Sequence, residues 1–147
     1  MRVFILTILL FCAALPATAQ SDDWLAGKWK AWRELPGQSD FEYLELYANH
    51  TGYKAQGGIE NGQEILLPYL LLDLKRWELK NDTLRCFTKR AWNAAEGAYT
   101  SQTLEYVIKE KSEGKFTAVF VDPNAEPVPE NAPAEFQPIP LRFLRSE

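Results

Sequence analysis

Runs of alternating apolar and polar residues follow one another along this chain with turn residues between them and few helical stripes, and that succession limits the fold more than any other feature. The strand candidates are Leu25–Glu34, Phe41–Ala48, Gly52–Gly57, Ile65–Leu72, Lys75–Leu79, Thr83–Lys89, Thr103–Lys111, Lys115–Asp122 and Ile139–Arg145. In the clearest of them Leu104, Tyr106 and Ile108 alternate with Glu105 and Lys109, and Ile139, Leu141 and Phe143 with Arg142 and Arg145, so a period of two leaves one face dry and the other wet. Asn49-His50-Thr51-Gly52, Gly57-Gly58, Asn61-Gly62, Asn81-Asp82 and Glu113-Gly114 supply hairpin chemistry between the runs. Consecutive short connections make neighbouring strands antiparallel. A meander of about eight or nine strands removes its exposed edges by closing, so the expected fold is all-β, an antiparallel up-and-down barrel.

Ahead of the first strand, Arg2 is followed by an uncharged apolar run from Val3 to Leu15, then Pro16 and the small triplet Ala17-Thr18-Ala19. This is the anatomy of a secretory signal peptide, and the run is too short for a membrane-spanning helix of about 20 residues. The expected organisation is a signal peptide over 1–19 and one barrel domain over 20–147, exported to a periplasm or secreted, with no transmembrane segment after cleavage. Cys12 falls inside the signal, so Cys86 has no internal disulfide partner, and burial must hold the fold together. A small buried hydrophobe on a strand is the expected role of Cys86. With 46% hydrophobic residues against 24% charged, the chain has material for a core. Its 16 basic and 20 acidic side chains give no cationic footprint for nucleic acid.

Two segments depart from the pattern. Ile65–Leu74 is almost continuously apolar but interrupted by Pro68, which suits an irregular strand. Arg90–Ser101 reads as a helical turn or a long loop at a barrel mouth. Residues 123–138 form an acidic, proline-rich loop in a stretch that lacks Lys and Arg from Phe116 to Leu141.

Catalytic constellations are lacking. The single histidine, His50, falls in a turn and is expected to be solvated, and His50 with one retained cysteine is too small a set for zinc. No serine sits in a G-x-S-x-G setting, and no glycine-rich run opens a helix. Glu42, Glu45, Glu78 and Glu105 alternate with apolar neighbours and are expected to face solvent. Asn49-His50-Thr51 and Asn81-Asp82-Thr83 match the glycan acceptor pattern, but these are also ordinary turn residues. No enzyme, cofactor or metal is expected. What stands out is 5 Trp and 6 Tyr, rings that fill a small barrel or line an apolar pocket. From strand spacing, Tyr43, Tyr47, Tyr106, Phe116 and Phe120 are the candidate ligand-lining positions.

Leu25-Ala26-Gly27-Lys28-Trp29 carries a G-x-W element on the first strand. Leu44–Tyr53, Trp77–Arg85, Leu104–Ile108 and a closing Leu141–Arg145 follow in order. In order and spacing this resembles the small bacterial lipocalin-like domains. The resemblance implies that Gly27 and Trp29 close one end of the barrel, with Arg145 or Arg142 laid across the indole. It also implies a cavity for a small apolar or lipid-like molecule. The alternative is a protein partner, the barrel acting as an envelope inhibitor or immunity-type module through Trp92, Tyr99 and the acidic loop.

Overall fold

A computed structural model describes residues 21–33, 39–123, 125–126, 128–134 and 137–147. The expected signal peptide lies outside the described residues. Among the described residues eleven strands are formed: β1 (Gly27–Trp32), β2 (Phe41–Leu46), β3 (Gly52–Glu60), β4 (Gln63–Leu66), β5 (Leu72–Lys80), β6 (Thr83–Thr88), β7 (Ala91–Asn93), β8 (Ala98–Thr100), β9 (Thr103–Ser112), β10 (Lys115–Val121) and β11 (Leu141–Ser146). Eight of them close in the order β1-β2-β3-β5-β6-β9-β10-β11 and back to β1, every pairing antiparallel, with β4 as the extra strand on β3. The all-β up-and-down barrel is therefore present.

The meander sorts its connections by length. Residues 47–51, 81–82 and 113–114 make tight turns at one end, while 33–40, 61–71, 89–102 and 122–140 make the long connections at the other. Asn61, Gly62, Asn81, Asp82 and Gly114 all have positive φ, as two-residue hairpin turns require. Gly57-Gly58, expected as a turn, instead continues β3, and the chain reverses at Asn61-Gly62. Ile65–Leu74, expected as one irregular strand, is instead the end of β4, a 3-10 turn at Pro68–Leu70 and the start of β5, because Pro68 ends the ladder. Arg90–Ser101 is neither helix nor plain loop: β7 and β8 pair there as a small hairpin beside the mouth. Ile139 precedes β11 and is exposed, so the last inward alternation begins at Leu141.

The short-turn end is sealed. A 3-10 turn at Asp23–Leu25 tucks a fully buried Leu25 under the barrel, and Trp29 Nε1 donates to the Leu25 carbonyl at 2.7 Å. Arg145 lies 4.5 Å from the Trp29 ring, with Nη1 donating to the Ala26 carbonyl at 3.0 Å and Nη2 to that of Trp24 at 2.7 Å. Gly27 is required at this corner, because its φ is +142° and a Cβ would stand 2.5 Å from Arg145 Nη1. Across the end, Trp77 Nε1 donates to the carbonyls of Tyr47 and Thr51, both at 3.1 Å. His50 is half-buried and stacked on the Trp77 indole at 4.4 Å, so it is not the freely solvated turn residue expected. Above this seal Phe116 and Phe143 stack at 4.7 Å, with Tyr106, Leu84 and Leu44 in the same cluster. The lower barrel is thus filled by side chains rather than hollow.

Candidate functional site

At one seam of the closed barrel the hydrogen-bonded ladder stops short of the mouth. β1 pairs with β11 only from Lys28↔Ser146 to Lys30↔Leu144. On their far sides both strands continue, β1 to Trp32↔Phe41 with β2 and β11 to Leu141↔Ala118 with β10. Above Lys30 this ladder ends, and a cavity of about 720 Å³ lies beside the mouth-side ends of β1 and β11. Trp32, Phe120, Ile139 and Leu141 give it apolar walls, Arg33 and Glu42 stand at its inner end, and Arg142 at its outer lip. Pro138 and Pro140, on the chain leading into β11, also line it.

The inner end is polar because β2 presents Leu46, Leu44 and then Glu42 to the interior. Trp29↔Leu44 and Ala31↔Glu42 are register pairs, and paired residues share a face. Glu42, expected to face water, is instead 6% exposed inside the barrel. Its partner from β3 is Lys54, whose Nζ lies 2.7 Å from Glu42 Oε2, and Arg33 Nη2 donates to Oε1 at 2.9 Å. Gln56 Nε2 reaches the same oxygen at 3.4 Å, and Arg33 also faces Asp40 at 3.4 Å. Ala31 and Ala118, small and fully buried, leave room for this cluster. Sequence reasoning missed Glu42, Lys54 and Arg33. The only available signal was that 42/44/46 and 41/43/45 have equally apolar patterns, so β2 had no unambiguous wet face.

Two further groups border the cluster. The Tyr106 hydroxyl is buried without a hydrogen-bond partner among the described residues, and burial, with the Glu42 charge adding to it, pushes its ionisation well above the usual tyrosine range. Cys86 is fully buried, and burial pushes its thiol up to about 12, against a smaller opposing pull from Lys54. The unfolded chain loses this proton near the ordinary 9.0, so between about 9 and about 12 the folded state holds a proton that the unfolded state lacks. Stability is therefore retained below that window and falls as pH rises through it. Denaturant melts over this range should show the decline, and Cys86→Ala should flatten it, leaving the part due to the tyrosines whose ionisation is also raised, Tyr106, Tyr43, Tyr47 and Tyr53. An unchanged slope in the variant would show that the thiol is not its source.

The five ring positions expected to line a ligand do not share one space. Phe120 alone borders the seam cavity, in edge contact with Tyr106 at 5.4 Å. Tyr106 and Phe116 are buried in the filled core. Tyr43 and Tyr47 sit on the opposite face of β2 from Leu44 and Leu46, outside the barrel. There Tyr43 packs with Phe41, Ala55 and Tyr53 and donates to Glu45 Oε2 at 3.1 Å, and Tyr47 is exposed. The reason is register: one dry stripe of β2 faces the barrel and the other is covered from outside. Of the structural set, Gly27, Trp29 and Arg145 meet at the sealed end, whereas Arg142 is exposed at the lip of the opening.

On the mouth hairpin, Trp92 and Tyr99 form a cross-strand edge contact at 5.4 Å and are 59% and 61% exposed. Among the described residues no three His, Cys, Asp or Glu side chains are grouped to hold a metal, and no helix is long and apolar enough to cross a membrane. A scan against protein-family models, a search of curated proteins and a search of solved structures each found no match.

Proposed function

We propose that this chain is an exported, non-enzymatic, lipocalin-like binding protein that holds a small hydrophobic or lipid-like molecule in the seam cavity beside β1 and β11. The observation that carries this reading is the seam cavity itself: about 720 Å³, apolar along its walls, with a few polar groups converging at its ends. Sites for small organic ligands are of this size and make-up. Support for the lipocalin-like assignment comes from the G-x-W strand, the eight-strand meander and the Arg145 guanidinium over Trp29. Export is the role of the Met1–Ala19 segment in this reading, and it leaves the barrel in a periplasm or outside the cell.

The ligand is held at the wall rather than deep in the barrel, because stacked rings already fill the axis. A neutral apolar fluorophore, N-phenyl-1-naphthylamine, is expected to bind the native protein with one saturable site and enhanced emission. Ile139→Asp, at an exposed position on the cavity wall, should weaken binding by about tenfold or more, the effect of roughly 1.4 kcal/mol. Its melting temperature should be little changed. Absence of saturable binding to the native protein would remove the proposal. A second reading, a module that docks on another protein, rests on the exposed Trp92–Tyr99 pair, since solvent-facing aromatic pairs are typical interface anchors.

A further inference from the structure

A second concavity of about 720 Å³ adjoins the seam cavity on the outer face of β9, β10 and β11, and the two share Thr117 and Arg142. The lining of this outer groove differs in kind. It carries Lys111, Lys115 and Arg142 against the single carboxylate of Glu110, with the hydroxyls of Ser112 and Thr117 between them. The ladder between β9 and β10 shifts register between Thr117 and Ala118, so the strand is locally bent where the two concavities meet.

The cations in this groove are not absorbed by the fold. Lys111 rests 5.3 Å from the Trp24 ring, an interaction that leaves its charge uncompensated. Arg142 and Lys115 have no ion-pair or hydrogen-bond partner among the described residues. Surface cations are usually neutralised by neighbours or scattered, and the chain as a whole is acidic, at a formal −4. At the inner end of the seam cavity the position is reversed, because Arg33 is already engaged by Glu42 and Asp40. The inner cluster is thus balanced, Arg33 and Lys54 against Glu42 and Asp40, and an anion finds uncompensated cations only at the lip.

We infer that the ligand is a single-chain amphipathic anion. Its hydrocarbon tail lies in the seam against Trp32, Phe120, Ile139 and Leu141, and its phosphate- or carboxylate-type head lies in the outer groove on Arg142 and Lys115. This inference rests on the reading of the seam as a ligand site and adds the chemistry of the ligand's other end. An Arg–phosphate contact is directional and, beside apolar walls, less screened than one in open water, so the head should contribute measurably to affinity. Among the described residues Arg142 is the one cation that borders both spaces.

The test uses the native protein and four probes: dodecyl phosphate, dodecyltrimethylammonium, dodecyl glucoside and inorganic phosphate. Each is titrated calorimetrically below its micelle-forming concentration. Dodecyl phosphate should bind about tenfold or more tightly than the cationic and the neutral chains, and inorganic phosphate far more weakly than any of them. Arg142→Gln combined with Lys115→Gln, both at exposed positions, should lower the affinity for dodecyl phosphate about tenfold and that for dodecyl glucoside by far less. Equal affinity for the three chains, or a double variant that binds dodecyl phosphate normally, overturns the anionic head while leaving the seam a ligand site. Inorganic phosphate binding as well as dodecyl phosphate overturns the amphiphile in favour of a simple anion site. Failure of every chain to bind ends both the inference and the reading beneath it.

Discussion

Trp29→Ala should lower unfolding stability by about 3–5 kcal/mol, the range for deleting a large buried aromatic side chain, and in a small barrel with no disulfide that is a large share of the whole. Three losses coincide at this position. The indole is 1% exposed and touches Trp24 and Phe116 by their edges, at 6.3 and 4.8 Å, so its removal opens a void at the sealed end that its rigid neighbours cannot fill. The Leu25 carbonyl loses the Nε1 donor that fixes the 3-10 turn beneath the barrel. Arg145 loses the ring it lies over, leaving only its bonds to the Ala26 and Trp24 carbonyls. Urea unfolding followed by far-ultraviolet circular dichroism measures the effect. Trp29→Phe keeps a ring but drops the donor, so it should fall between the wild type and Trp29→Ala. A loss below about 1 kcal/mol in Trp29→Ala would mean that this end is not the structural plug of the fold, since ordinary surface changes stay within about 0.5 kcal/mol.

Where the chain alternates cleanly, its sequence is sufficient. β9 and β10 have one apolar and one polar stripe, their turn is Glu113-Gly114 with φ +70° at the glycine, and both form where the pattern puts them. The same logic runs out at β2, where Phe41, Tyr43, Leu44 and Leu46 spread over both faces with a glutamate in each stripe. Which face turned inward was decided by pairing to β1 and β3, a non-local choice that no window of β2 contains. For that reason the local pattern predicts Tyr43 and Tyr47 as lining residues and Glu42 as surface. The seam escaped for a related reason. A strand's period does not reveal where its ladder to the next strand stops, and the one between β1 and β11 ends within otherwise regular alternation. The mouth hairpin of β7 and β8 was hidden because three-residue strands are too short to show a period.

Lys54→Met is expected to cost about 3 kcal/mol, although it replaces a charged side chain inside a barrel by an apolar one of similar length. The reason is the partner left behind. Lys54 and Glu42 side chains are only 11% and 8% exposed, so when the ammonium is removed the Glu42 carboxylate keeps its desolvation cost and loses the nearer of its two cations. Arg33 still bonds Oε1 at 2.9 Å and holds the loss near the lower end of the range for broken buried pairs. Taking both charges away should undo most of the damage: Glu42→Leu with Lys54→Met leaves an apolar pair between Ala31 and Leu44, with Arg33 still facing Asp40 at 3.4 Å. The double variant should lie within about 1 kcal/mol of the wild type, about 2 kcal/mol or more better than Lys54→Met alone, a non-additivity that a double-mutant cycle with Glu42→Leu reads as coupling. A lysine variant as stable as the wild type would place the pair effectively in water. A double variant no better than the lysine change alone would mean that Lys54 acts through its packing rather than through Glu42. If the cycle comes out as stated, the ions at the inner end of the seam add little to stability over an apolar core. Their presence is then accounted for by the polar boundary they set for whatever enters the opening.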